Sequence, residues 1–193
     1  MKKNFILSAC VAVAMAFSLP SQAQRLIPKQ RGIEVVGSVP LIKGEKLFTG
    51  DNFGVGISLP RYLKKENYTF VMAEYEQQNM SYRDYNVKLK DALLQVGYMQ
   101  PVLSDRGKNV LLYGGISALG GYEQLNEDKT LLPDGATLLD RSRFVYGGAV
   151  HGSVEVFLTD RVLFLIKAQG RLLFGTEVHR FRPAVSAGLR FNF

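Results

Sequence analysis

The last thirteen residues of the chain alternate in character. Odd positions are Phe181, Pro183, Val185, Ala187, Leu189, Phe191 and Phe193; even positions are Arg182, Ala184, Ser186, Gly188, Arg190 and Asn192. Successive side chains of a strand point to opposite faces, so this period of two predicts a strand with one apolar face and one polar or small face. The same pattern recurs upstream. Residues 162–174 set Val162, Phe164, Ile166, Ala168, Leu172 and Phe174 against Lys167, Gln169 and Arg171. Residues 144–158 set Tyr146, Val150, Val154, Val156 and Leu158 against His151, Ser153 and Glu155, and the short link Thr159-Asp160-Arg161 makes these two a hairpin. Val110 to Gly121 is apolar and glycine-rich on both faces, whereas 87–100, 68–78, 53–59 and 31–39 alternate again.

Eight strands follow, an even number, with short connections at 60–67, 101–109 and 159–161 and longer ones at 40–51, 79–86, 122–143 and 175–180. Short turns on one side and long loops on the other, with strands of about ten residues, are expected of a transmembrane barrel. Phe193 ends the chain with Phe191 on the same face. A terminal aromatic on an amphipathic last strand is what outer-membrane barrels show to their assembly machinery, whereas a soluble edge strand ending this way would invite aggregation. The expected fold is therefore all-β, an eight-stranded antiparallel up-and-down transmembrane barrel of the OmpA/OmpX-like kind. A soluble lipocalin-like barrel shares the period but turns its apolar face inward.

The N-terminus weighs against the soluble form. Lys2 and Lys3 precede an apolar run from Phe5 to Leu19, Pro20 breaks it, and Ser21-Gln22-Ala23 presents small residues for cleavage after Ala23. The expected division is a secretory signal at 1–23 and an outer-membrane barrel domain at 24–193. The alternative, residues 5–19 retained as a membrane anchor, requires a longer run than this one. Cys10 is the one cysteine and lies in the apolar run, so cleavage leaves no thiol for disulfides, metals or nucleophilic chemistry.

Removing Lys2 and Lys3 from the 24 basic residues leaves 22 against 17 acidic ones, a net charge of +5 without a block of like charges. Closure makes charge more informative than its total. Eight strands enclose a lumen just wide enough for side chains to fill it, and a buried charge without a partner costs several kcal/mol. The candidate lumen network is Glu74, Glu76 and Glu155 with Lys167, Arg171, Arg182 and Arg190.

Several segments resemble the TraO conjugal transfer family of Bacteroides-type conjugative transposons. They begin at Gln24-Arg25, Pro28 and Gly32-Ile33, and continue through Glu74-Tyr75, Gly97-Tyr98, Leu103-Ser104-Asp105, Ser117-Ala118-Leu119 and Gly121-Tyr122-Glu123. Asp134-Gly135-Ala136-Thr137-Leu138, Tyr146-Gly147-Gly148-Ala149, Leu158 to Leu163, Gly188-Leu189 and Phe191 complete the series. The departure is concentrated in 40–67. The resemblance implies a role in the envelope part of a conjugation apparatus, with other apparatus proteins as partners, and brings no catalytic residues.

Catalytic patterns are not apparent. His151 would face the lumen and His179 the last long loop, too far apart for a shared metal site. Ser153 stands two residues from His151 on one face, but nothing nominates an oxyanion hole. Gly114-Gly115 and Gly147-Gly148 lack the Lys-Ser/Thr that completes a phosphate loop. The nearest basic stripe, Arg171 with His179 to Arg182, dissolves because Arg171 and Arg182 turn inward. A filled eight-stranded barrel also leaves no bore for DNA. The reading is a non-enzymatic barrel without cofactor in a transfer apparatus; the alternatives are a free-standing adhesive or envelope-stabilising barrel and a soluble periplasmic binding barrel.

Overall fold

The computed structural model of the chain describes residues 26–41, 52–82, 85–125, 142–176 and 179–193, and the backbone alone at 80–82 and 85–87. The segment 1–23, the loop residues 42–51 and 126–141, and with them the Asp134–Leu138 run, lie outside the described residues.

Eight strands form: β1 (Gly32–Pro40), β2 (Phe53–Tyr62), β3 (Tyr68–Tyr82), β4 (Tyr85–Ser104), β5 (Val110–Leu125), β6 (Arg143–Phe157), β7 (Val162–Phe174) and β8 (Phe181–Asn192). Each pairs antiparallel with its chain neighbour, and β1 closes on β8 in register from Gly32↔Asn192 to Pro40↔Ala184. The result is an up-and-down barrel without a free edge. At the turn end stand 63–67, 105–109, 158–161, the entry arm 26–31 and the C-terminus; the longer connections stand at the loop end.

Parity decides which way every side chain points. In β2, Phe53, Val55, Ile57 and Leu59 are exposed while Gly54, Gly56, Ser58 and Pro60 are buried. In β5, where the sequence is apolar on both faces, Leu111, Tyr113 and Leu119 fill the lumen and Val110, Leu112 and Ile116 face out. The exterior is thus an apolar band: Ile57 is 57% exposed and Val150 61%, values that water would penalise and hydrocarbon rewards. Aromatic side chains border the band at both rims. Phe53, Tyr75, Tyr122, Phe144, Phe174 and Phe181 face outward at the loop end, and Tyr98, Phe164, Phe191 and Phe193 toward the turn end. Two such girdles flank the apolar belt of transmembrane barrels, where ring faces contact lipid and polar edges meet head groups.

The strands exceed the expected lengths at polar ends. β3 runs to Tyr82 and β4 starts at Tyr85, so the connection expected at 79–86 shrinks to 83–84. Likewise β4 extends to Ser104 and β5 to Leu125, which narrows the expected connections at 101–109 and 122–143. Beyond the apolar band the outward face no longer meets hydrocarbon, so the apolar alternation that signals a strand is no longer required there. Pro101 marks one local irregularity. Its nitrogen carries no hydrogen for the ladder, and the β4–β5 register shifts between Pro101 and Leu103.

The entry arm docks rather than trails. Lys29 N donates to Tyr62 O at 2.9 Å, Tyr62 N donates to Gln30 O at 2.9 Å, and Leu26 packs against the apolar cluster inside the turn end.

An outward charge in the apolar band tests this orientation. Leu189→Arg is expected to cost about 2–4 kcal/mol if it lies near the bilayer midplane, and less toward an interface. The measurement is a urea titration of the vesicle-inserted protein, with heat-modifiable gel migration reporting the folded fraction.

Candidate functional site

The lumen holds the charged residues. The acidic side chains Glu74, Glu76, Asp91 and Glu123 come from β3, β4 and β5, and the basic ones Lys167, Arg171, Arg182 and Arg190 from β7 and β8 across the lumen. Within a wall, like charges are register neighbours: Glu76 opposes Asp91, Asp91 opposes Glu123, and Arg171 opposes Arg182. Like charges directly opposite repel. Pairing across the lumen reverses that penalty, and it exists only when the sheet is closed.

Arg190 is the centre of the tier nearest the turn end, and it is fully buried. Its Nε and Nη2 donate to Glu34 Oε2 at 2.9 and 2.6 Å, and its Nη1 and Nη2 donate to Glu155 Oε2 and Oε1 at 2.8 and 3.0 Å. The hydroxyls of Tyr62 and Tyr68 accept from Nη1 and Nη2 at 2.6 and 2.9 Å. The Tyr68 hydroxyl in turn donates to Glu155 Oε1 at 2.6 Å, and the guanidinium carbon lies 4.5 Å from the Tyr68 ring centroid. Tyr62, Tyr68 and Tyr113 stack edge-on across this level, with centroids 5.4 and 5.0 Å apart. Lys167 donates to the second oxygen of Glu34.

The middle tier is built on Glu74. It accepts from Gln95 at 2.8 Å, from Gln169 at 3.1 and 3.3 Å and from Ser38 at 3.4 Å. Arg171 donates to Glu76 through Nη2, while its Nη1 stops 3.6 Å from Glu74, beyond a good hydrogen bond. Near the loop end, Arg182 donates to Asp91 at 2.5 Å, to Glu123, to Thr176 Oγ1 at 3.0 Å and to the carbonyl of His179 at 3.0 Å.

The sequence-selected residues Glu74, Glu155, Lys167, Arg171, Arg182 and Arg190 all point inward, but their partners differ in part from the expected ones. Lys167 meets Glu34 rather than Glu74, Glu76 or Glu155, and Arg182 meets Asp91 and Glu123. Glu34 and Asp91 had the correct parity and were not singled out; Glu123 was assigned to a loop. The overlooked signal for Glu34 is the closing seam, where it is the register partner of Arg190. His151 does face inward, but its Nε2 lies 2.8 Å from Ser117 Oγ, and Ser153 turns to Glu155 at 3.4 Å. Phe70 packs edge-on to His151 at 5.6 Å, using space that the absent side chain of Gly97 leaves open: a Cβ there would lie 2.5 Å from the Phe70 ring. His179 is exposed at the loop end. Among the described residues no group of three or more His, Cys, Asp or Glu is arranged to hold a metal.

Ion pairs and a tyrosine layer thus link strands on opposite sides of the interior. The comparison that decides kinship covers the same span. The family described as conjugative transposon protein TraO matches residues 27–193. The chain belongs to the TraO family. No curated protein sequence matches it. Among solved structures it is similar to Ail, the attachment invasion locus protein of Yersinia pestis, solved in complex with the heparin analogue sucrose octasulfate: TM-score 0.55, 9% identity, covering 86% of this chain and 100% of Ail. A second Ail structure gives 0.54 at 11% identity over 86% and 100% of the two chains. Neisserial surface protein A gives 0.50 at 15% identity over 85% and 96%. At these identities the likeness is one of fold, that of small outer-membrane-type barrels, and TraO family membership rests on the sequence.

Removing Arg190 leaves Glu155 buried without its cation. Arg190→Met is expected to destabilise by about 3–5 kcal/mol, whereas Lys108→Ala, which breaks the exposed pair with Glu66, costs at most about 1 kcal/mol. Adding Glu155→Gln to Arg190→Met recovers part of the loss. Urea unfolding of the inserted variants measures all three.

Proposed function

We propose that this TraO family member is a non-enzymatic outer-membrane component of a conjugative DNA-transfer apparatus, exported by the segment 1–23 and inserted with its turn end toward the periplasm. The observation that carries this reading is that the family match spans the whole barrel, from the docked arm at Ile27 to the terminal Phe193. The apolar exterior and its two aromatic girdles support residence in a membrane. The occupied lumen argues against a DNA conduit, because the tyrosine layer and Arg190 leave no bore of duplex or single-strand width. Transfer proteins would then dock on the exposed ends, and the barrel would serve as their anchor.

Deletion from a donor cell is expected to lower transfer frequency, with restoration by the wild-type gene and not by Leu189→Arg. Fractionation should recover the tagged protein in outer membranes together with other apparatus proteins. Unchanged transfer with weakened envelope integrity would instead favour a free-standing barrel.

Phe191 and Phe193 are outward and exposed, at 51% and 68%, as an assembly signal read from the lipid side of the last strand requires. Phe193→Ser is expected to slow barrel assembly in cells while leaving refolding into vesicles largely unchanged, measured by pulse-chase of the heat-modifiable form.

A further inference from the structure

Arg31 and Arg61 face each other at the turn end, where the entry arm bridges the last turn of β2. The parity of β1 and β2 turns both side chains outward, two positions beyond Ile33 and Leu59 on the apolar band, and both are exposed. Opposed like charges on one sheet face repel at a separation of about 5 Å between Cβ atoms. Among the described residues no ion pair to a carboxylate relieves them. Glu66 is taken by Lys108. Asp105 accepts the amide N–H groups of Val110 at 2.9 Å and Gly107 at 3.2 Å, hydrogen bonds that hold its carboxyl below the ordinary carboxylate range. Phe193 O accepts the backbone N–H of Arg31 at 3.2 Å.

What suits two guanidinium groups on this rim is an anion that continues into hydrocarbon. Below the pair lie Ile33, Leu59 and, on the other side of β1, Phe191 and Phe193, all exposed on the same outer face. Lys29, exposed on the docked arm, adds a positive field. A phosphodiester with acyl chains fits both halves, since guanidinium forks match phosphate oxygens and the chains lie along the apolar band. We propose that Arg31 and Arg61 form a headgroup site for an anionic phospholipid, of the phosphatidylglycerol class, in the leaflet at the turn end. The proposal rests on the membrane-spanning barrel and is independent of the transfer role, which the donor deletion tests separately.

The test uses the whole barrel in micelles doped with equal amounts of phosphatidylglycerol and phosphatidylethanolamine, with retained lipid counted by native mass spectrometry. The wild type is expected to retain phosphatidylglycerol with a preference on the order of tenfold. Arg31→Gln/Arg61→Gln should abolish it, and Arg31→Lys/Arg61→Lys should keep part of it. Lys64→Gln/Lys65→Gln, which removes as much charge from the turn after β2 at the same end, should retain it in full. Heat-modifiable migration confirms that each variant is folded; if the double Gln variant does not fold, Arg61→Gln alone must lower the preference. Equal retention of the two lipids by the wild type overturns the site. So does an equal loss in the Lys64/Lys65 variant, which would make it general surface charge. Displacement of the lipid by inorganic phosphate, or by a single-stranded oligonucleotide, at matched concentration overturns it in favour of those ligands.

Discussion

Opposite charges meeting across a closed sheet are the constraint on which the rest depends. Before closure, Glu76, Asp91 and Glu123 stand side by side on neighbouring strands, and Arg171 stands beside Arg182. An open sheet of this sequence would gather repulsion along both halves. Closing β1 onto β8 brings the halves within reach, converts the repulsion into ion pairs and removes the two edges that lipid cannot hydrate. The seam itself carries the most connected pair, because Glu34 and Arg190 are register partners there. Coulomb attraction and backbone hydrogen bonding therefore favour the same event. That agreement is what a cooperative fold requires.

The interior and exterior divide the work. Outside, the apolar band and two aromatic girdles fix depth and orientation in the bilayer; inside, tiers around Arg190, Glu74 and Arg182 fix the cross-section. Phe70 packs edge-on to the His151 ring of the Ser117–His151 contact, and the tyrosine layer crosses the lumen near the turn end. The parts accessible to other proteins are the ends.

Most of the fold was legible because a period of two is a strong signal when one face must meet hydrocarbon. β8, β7 and β6 read directly from alternation, and the inward direction of Arg182 and Arg190 followed from parity alone. The same reasoning failed where its cause ends. Glu123 lies past the glycine-rich part of β5, where apolar and polar residues mix on both faces and the alternation gives no strand signal, although it is buried against Arg182. Pairing across the lumen was only half legible. Parity says that Lys167 points inward, but which carboxylate it meets depends on strand tilt and stagger around the whole barrel, which no single segment encodes. Arg31 and Arg61 escaped attention for a related reason: they are far apart in sequence and adjacent only through the docked arm.

The extended hairpin of β3 and β4 has a mechanical consequence. Its ladder continues to Tyr82↔Tyr85, whereas pairing of β2 to β3 stops at Phe53↔Gln77 and pairing of β4 to β5 stops at Leu89↔Leu125. From Asn79 to Tyr82 the wall is, among the described residues, a two-stranded ribbon rising about 10 Å along the strand direction. Asn79 N, bonded to Asn52 Oδ1 at 2.7 Å, ties its base. A ribbon bends less than a loop of equal length, so the described part of this hairpin holds a set height and follows the tilt and rotation of the entire barrel.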